Sequence, residues 1–100
     1  MSPMSAATLA GIAGRGLATE DRKGEHEIGL HSLRGSITLP MSAQKRLFEI
    51  LETSETVDYS GPVRSGGRTV NRTFKVRVTR FDPISDGVRT EFIFVADAQW

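Results

Sequence analysis

Basic side chains are concentrated in the second half of the chain, in and around the stretch GGRTVNRTFKVRVTRFDP at residues 66–83. Between Gly61 and Phe81 there are six cations and no anion. Guanidinium and ammonium groups neutralise phosphates, and a basic β-ribbon or sheet face can hold duplex or single-stranded nucleic acid. The candidate binding residues for nucleic acid, or for an acidic protein surface, are Arg64, Arg68, Arg72, Lys75, Arg77 and Arg80.

The alternation of side chains predicts an amphipathic strand over residues 68–81, because successive residues of a strand face opposite sides. The expected core face holds Val70, Phe74, Val76 and Val78. The arginines of the same parity lie near the strand ends: Arg68, Arg72 and Arg80. Lys75 and Arg77 lie centrally on the opposite, threonine-rich face. That face either binds an anionic partner or is a solvated face whose cations pair with Glu91 and Asp97 on the next strand.

The last predicted strand, VRTEFIFVADAQW, is apolar on both faces between Phe92 and Val95. A strand with one face in solvent should alternate apolar and polar residues, so this pattern has three possible explanations. The strand is central and covered on both sides, its second face is an interface, or the N-terminal segment folds over it. Left exposed, such a window would favour aggregation. The leading interpretation is a homo-oligomeric interface, in a dimer. The predicted oligomer or partner interface consists of Phe92, Ile93, Phe94, Val95 and Trp100.

Few side chains have the types that catalysis or metal binding requires. The chain has no cysteine and two histidines, His26 and His31, in EHEIGLH. Their spacing is one residue too long for the zinc helix of metalloproteases, and on a strand they would face opposite ways. Asp82 and Asp86 lie in a Pro/Gly turn, where capping the turn is the expected role. We therefore predict no catalytic residue, no metal, no cofactor and no small-molecule substrate, and the protein is not expected to be an enzyme.

Length and composition indicate one small globular domain. The 100 residues are 38% hydrophobic and 25% charged, which argues against wholesale disorder. The net charge of +1 is too small for the whole chain to attract a polyanion, so any electrostatic recognition must be local. No apolar run approaches the ~18 residues of a spanning helix, and the N-terminus does not resemble a signal peptide. We expect no membrane association and a cytoplasmic location.

The elements that must position these side chains are predicted as follows. Residues 1–26, rich in glycine and alanine, form a flexible N-terminal arm that a partner or neighbouring subunit can order. Residues 27–100 form the domain, with a strand before Pro40, a helix from about Ser42 to Thr53, and a three-stranded meander. The expected fold class is α+β, with one short helix packed on a mostly antiparallel sheet of about four strands in the order arm-β-α-β-β-β.

Two functions fit these features. The first is a non-enzymatic protein-interaction or assembly module that self-associates or docks on a larger partner, through the arm and residues 92–95. The alternative is a nucleic-acid-binding module that uses residues 64–80 as a basic β-ribbon. The bias toward arginine over lysine, the small size and the single domain are compatible with an accessory protein of a phage or mobile element.

Overall fold

The computed structural model describes residues 6–21 and 32–97, which form six strands and one α-helix. The strands are β1 (Ala6–Leu9), β2 (Ile12–Asp21), β3 (Ser32–Leu39), β4 (Val57–Ser65), β5 (Arg68–Ile84) and β6 (Gly87–Asp97). A 3₁₀ turn at Met41–Ala43 leads into the helix α1 (Gln44–Thr53). Within the described ranges, no helix has the length and apolar character that crossing a membrane would take.

The strands form two meanders that close into one barrel. β1, β2 and β3 pair consecutively and antiparallel, and so do β4, β5 and β6. The meanders are joined by an antiparallel β3–β6 pair on one side. On the other side, β4 pairs antiparallel with β1 and parallel with β2. The order is therefore β1-β2-β3-β6-β5-β4, closed on itself, and the inward-facing side chains form one core.

Aromatic rings fill the middle of this core. The ring centroid of the buried Tyr59 lies 5.1 Å from that of Phe74 and 4.8 Å from that of Phe92. The Tyr59 hydroxyl donates a hydrogen bond of 2.8 Å to the carbonyl oxygen of Pro62, so its polar atom is satisfied inside the barrel. Burial disfavours the charged phenolate and raises the pKa of Tyr59 to about 12.

The expected four-stranded α+β fold is wrong, because the described residues form a six-stranded, mostly β structure. The expected flexible arm at residues 1–26 is part of that error, since residues 6–21 are β1 and β2 of the barrel. The predicted domain boundary between residues 26 and 27 lies outside the described residues. The four strands expected after the arm correspond to β3, β4, β5 and β6.

Close approach of β2 to β3 explains the unusual composition of β2. A Cβ atom on Gly14 would lie 2.4 Å from the carbonyl oxygen of Thr38, and one on Gly16 would lie 2.5 Å from that of Ser36. The next inward residue, Ala18, is fully buried. Small residues therefore stand at alternate positions where a typical strand has valine or isoleucine, and the usual compositional signal of a strand is missing.

The helix covers one end of the barrel, whereas the sequence predicted that it would pack on a sheet face. Leu47 is fully buried in the barrel core, and Ile50 lines a small cavity with Ala10 of the β1–β2 turn and Val57 of β4. The predicted helix itself and its end at Thr53 are confirmed. An amphipathic helix placed in this way buries core side chains that the open end of a barrel would expose.

A bulge changes which residues of β5 face the core. The ladder between β5 and β6 skips Thr79, so that Arg80 pairs with Glu91. An extra residue reverses the alternation beyond it, and Phe81 packs toward the core while Arg80 is exposed. Strict alternation assigned Arg80 to the apolar face, and that assignment is wrong.

Candidate polyanion-binding surface

One row of exposed side chains crosses five strands of the barrel through successive backbone pairs, and it runs obliquely because the strands of a barrel are staggered. Backbone pairing joins Arg64 of β4 to Thr19 of β2, and Thr19 to Arg34 of β3. Ile93 of β6 pairs with Arg34 on one side and with Arg77 of β5 on the other. All five side chains are exposed. We call these five residues the arginine row.

The alternation of buried residues explains why the row faces outward. Leu33 and Ile37 of β3 are buried, and so is Phe92 of β6, so Arg34 and Ile93 face the opposite side. Neighbouring strands lie ~4.8 Å apart, so the backbones of Arg34 and its nearest arginines in the row, two strands away, are about 10 Å apart. The row therefore places an arginine on every second strand, at regular backbone intervals around the barrel.

A shallow groove of about 710 Å³ lies beside the row, on the outer face of β2, β3 and β6. Arg34 and Ile93 line it together with Arg89 and Glu91. Hydroxyl groups also line it, from Thr19, Ser36 and Thr79. Arg89 Nε lies 3.6 Å from Glu91 Oε2, so the carboxylate in the groove faces a cation. Guanidinium and hydroxyl donors along an open groove can hydrogen-bond the oxygens of a linear anionic ligand.

The six cations predicted to bind fall into two groups. Those within salt-bridge distance of a carboxylate are Arg72 with Glu20 at 3.6 Å, Lys75 with Asp58 at 2.9 Å, and Arg80 with Asp82 at 2.6 Å. The other three, Arg64, Arg68 and Arg77, are exposed and make no ion pair with another described residue. A paired cation must give up part of an existing interaction to bind a phosphate, so the second group is better suited to binding.

Arg72 contributes to the structure at the edge of the core. The Glu20 side chain that it contacts is only 8% exposed. The guanidinium carbon of Arg72 lies 5.8 Å from the ring centroid of Phe74, within the range of a cation–π interaction. Arg72 is thus held between a nearly buried carboxylate and an aromatic ring, and we do not assign it to the binding surface.

Sequence reasoning missed one member of the arginine row on β3, Arg34. The signal was present, because Arg34 stands between Leu33 and Gly35 in an alternating segment that ends at Leu39. That alternation predicts that the Arg34 side chain faces outward, but it does not predict which residues of other strands lie beside it. The pairing of β3 with β6, which sets Arg34 beside Ile93, is a contact between segments that are distant in the sequence.

The predicted interface residues divide between the inside and the outside of the barrel. Phe92 is buried, and Phe94 packs partly buried against the core, with its ring centroid 5.8 Å from that of Phe74. Ile93 and Val95 are each 39% exposed on the outer face. Trp100 lies outside the described residues. Any interface on this strand is therefore carried by Ile93 and Val95.

The ionisable groups of the described residues include two with a shifted pKa, and neither is placed for proton transfer. Tyr59 is enclosed in the core. The hydrogen bond from Arg80 Nε to Asp82 Oδ2 raises the pKa of Arg80, and the negative charges of Asp82 and Glu91 add to the effect, so the guanidinium stays charged. No three His, Cys, Asp or Glu side chains are grouped to hold a metal ion within 6–21 and 32–97.

The two histidines, His26 and His31, lie outside the described residues, and the expectation of no metal and no cofactor stays a prediction. The surface described above is therefore the candidate site, and its chemistry is that of anion recognition. Comparison with known proteins adds no name to it: no protein-family model, no curated protein and no solved structure matches this chain.

Proposed function

We propose that this protein is a non-enzymatic module that binds single-stranded nucleic acid on the outer face of its barrel. The observation that carries the proposal is the arginine row, in which Arg64, Arg34 and Arg77 are exposed on alternate strands without an ion pair among the described residues. Guanidinium groups bind phosphates in a forked, charge-assisted geometry. A series of them at regular spacing suits a ligand that carries one charge per repeating unit.

The shape of the surface favours a linear polymer over a small ligand. The groove beside the row is shallow and open, and its lining offers hydroxyl and guanidinium donors along its length. Small-molecule sites are instead concave and mostly apolar and bury most of the ligand. With a net charge of only +1, the chain relies on this local arrangement, and we expect binding to weaken steeply as salt is added.

The closed barrel favours a single strand over a duplex. A β-ribbon that reads the major groove must project from its domain so that its face can enter the groove. Here β4 pairs with β5 on one side and with β1 and β2 on the other, and residues 74–80 of β5 also pair with β6, so β4 and β5 belong to the barrel wall. Flexible single strands can follow a curved, basic barrel surface, as they do on other small barrels.

The test is a binding titration with a short fluorescent single-stranded oligonucleotide at low salt. We expect the double variant Arg34→Ala/Arg77→Ala to bind at least about tenfold more weakly, because two phosphate contacts are lost. The matched control is Lys45→Ala/Arg46→Ala, which removes two exposed cations of α1 that do not belong to the row. If the wild-type protein does not bind, or if both double variants bind equally well, the proposal is wrong.

A protein-interaction or assembly module, with a dimer as the expected oligomer, is the second candidate. The observation that favours it is the exposure of Ile93 and Val95, which leaves two β-branched side chains on the outer face of β6. Burial of such side chains against a second copy would stabilise an interface. Light scattering tests it: a protein that stays monomeric at high concentration, both as wild type and as Ile93→Ser/Val95→Ser, would rule out self-association through this strand.

A further inference from the structure

A second groove, of about 430 Å³, lies between α1 and β5. Leu51, Val78 and Phe81 form its apolar part. Phe48 of α1 stacks on Phe81, with ring centroids 5.3 Å apart and ring planes inclined by 19°. We call Phe48, Leu51, Val78 and Phe81 the aromatic groove. We infer that it receives a nucleobase of the strand bound along the arginine row, an inference that rests on the function proposed above.

Phe48 is an exposed aromatic side chain on an otherwise charged helix surface. It is 55% exposed, although its helix neighbour Leu47 is fully buried. A single exposed apolar side chain is ordinary, and what distinguishes Phe48 is that its ring stacks on Phe81, which lines a groove together with Arg77. Aromatic rings at such positions serve as platforms on which the bases of single strands stack, and this stacking is tolerant of sequence because each base has a π face.

The aromatic groove is continuous with the arginine row and its groove. Arg77 belongs to the row and also lines the aromatic groove. Thr79 lines both grooves. Phe81 lines the same groove as Arg77, and Phe48 stacks on Phe81, so a base next to a phosphate bound by Arg77 can enter the groove beside this pair of rings. This juxtaposition of a phosphate-binding arginine and a stacking ring carries the inference.

The charged side chains around the aromatic groove include a cation that can pair with the phosphate of a nucleotide. Its cations are Arg77 and Arg80, and its lining carboxylate is Glu55. Asp82 lies next to one of these cations, because it accepts a hydrogen bond from Arg80. Arg77 remains exposed and without an ion pair among the described residues, so it is available to a phosphate next to the stacked base.

The consequence is selectivity for single strands over duplexes. In a duplex, each base is already stacked and paired, and it must be extruded before it can occupy the aromatic groove. Phosphate contacts alone do not distinguish the two forms in this way. We therefore expect the aromatic groove to supply the preference for bases, whereas the arginine row supplies the salt-dependent affinity.

The experiment compares two oligonucleotide probes of equal length, one an ordinary single strand and one an abasic strand with the same phosphates. The wild-type protein should bind the ordinary strand about tenfold more tightly, because one stacked base contributes about that factor. Phe48→Ala should lose most of this preference while keeping its affinity for the abasic strand and its salt dependence. Phe48→Trp, which keeps a ring, should retain the preference, and Met41→Ala is a matched control that removes another exposed apolar side chain.

The outcomes separate this inference from the function on which it rests. If both probes bind equally to the wild type, or if Phe48→Ala keeps the full preference, the aromatic groove does not hold a base and the arginine row alone binds. If neither probe binds, the proposed function fails and the inference with it. If an acidic peptide binds and neither oligonucleotide does, the partner is a protein, and both the proposed function and this inference are overturned. Circular dichroism of each variant verifies that it is folded.

Discussion

Arg34 of β3 and Arg77 of β5 flank the same side chain, Ile93 of β6, from opposite sides. Their backbones lie about 10 Å apart, and exposed like charges separated by more than the Debye length, about 8 Å at physiological salt, are largely screened. Repulsion between the two arginines is therefore weak in the free protein, and an anion that bridges them is attracted by both charges. Each arginine also belongs to a different meander, so the pair exists only where β3 pairs with β6.

Removing one arginine of this pair should change the salt dependence of binding as well as its strength. For a single strand, each phosphate neutralised contributes about −0.7 to the slope of log K against log salt. We expect Arg34→Ala and Arg77→Ala each to reduce the magnitude of the slope by about 0.7. Titrations at several salt concentrations measure it, with Arg46→Ala on α1 as the control that leaves the slope unchanged. Wild-type slopes in both variants would show that neither arginine contacts a phosphate.

Packing of β2 against β3 predicts that Gly35 tolerates no side chain. A Cβ atom there would lie 2.4 Å from the carbonyl oxygen of Leu17 and 2.7 Å from Cα of Ala18. Both atoms belong to backbone that cannot move without disturbing the barrel, so Gly35→Ala should destabilise by about 1–3 kcal/mol. Urea denaturation measures the loss, and the outward-facing neighbour variant Ser36→Ala should change stability by much less. Equal stability of the two variants would contradict the described pairing of β2 and β3.

Thr90 offers a substitution that should stabilise the protein. Its side chain is fully buried, and its hydroxyl oxygen has no hydrogen-bond partner among the described residues. Valine has nearly the same shape and no polar atom, so Thr90→Val should raise the free energy of unfolding by about 1 kcal/mol. The control is Thr79→Val. The Thr79 hydroxyl donates to the carbonyl oxygen of Glu91 at 3.3 Å, so this variant should be slightly less stable than the wild type. Destabilisation by Thr90→Val would indicate a partner for that hydroxyl.

Tyr59 should make the protein less stable at high pH. Its pKa rises from 10.0 to about 12 on folding because the phenol is buried. Between these values the folded state binds more protons than the unfolded state, so stability is fully present below pH 10 and falls as the pH rises toward 12. A full shift corresponds to about 2–3 kcal/mol.

Two measurements check this pH dependence. Tyr59 is the only tyrosine, so tyrosinate absorbance reports its titration directly. Denaturation across the same pH range should show a smaller loss for Tyr59→Phe, although that variant starts lower because the Pro62 carbonyl loses its hydrogen bond. A tyrosinate transition near pH 10 in the folded protein would contradict the burial of Tyr59.

Several elements could be predicted from the sequence because short-range physics determines them. The helix and its end at Thr53 follow from the spacing of apolar residues and are confirmed. The hairpin turn between β4 and β5 is also confirmed, and Gly66 and Gly67 adopt φ values of +59° and +82°, which glycine allows at no cost. Burial of Phe74 and Val76 and exposure of Arg77 follow from simple alternation.

Other features could not be predicted because they depend on contacts between distant segments. Strand β2 lacks the usual β-branched residues, and the reason, contact of Gly14 and Gly16 with the backbone of β3, exists only in the folded barrel. The bulge at Thr79 is set by the pairing of β5 with β6, and it moves Arg80 outward.

The basic stretch at residues 66–83 shows which properties are local and which depend on the tertiary structure. The sequence by itself determined that cations cluster there on an amphipathic strand, because charge content and alternation are local properties. Only the tertiary structure decided that Arg72 and Lys75 are engaged, since their carboxylate partners, Glu20 and Asp58, come from other strands. Pairing of β3 with β6 likewise decided that Arg77 stands in a row with Arg34, because it joins segments that the sequence keeps apart.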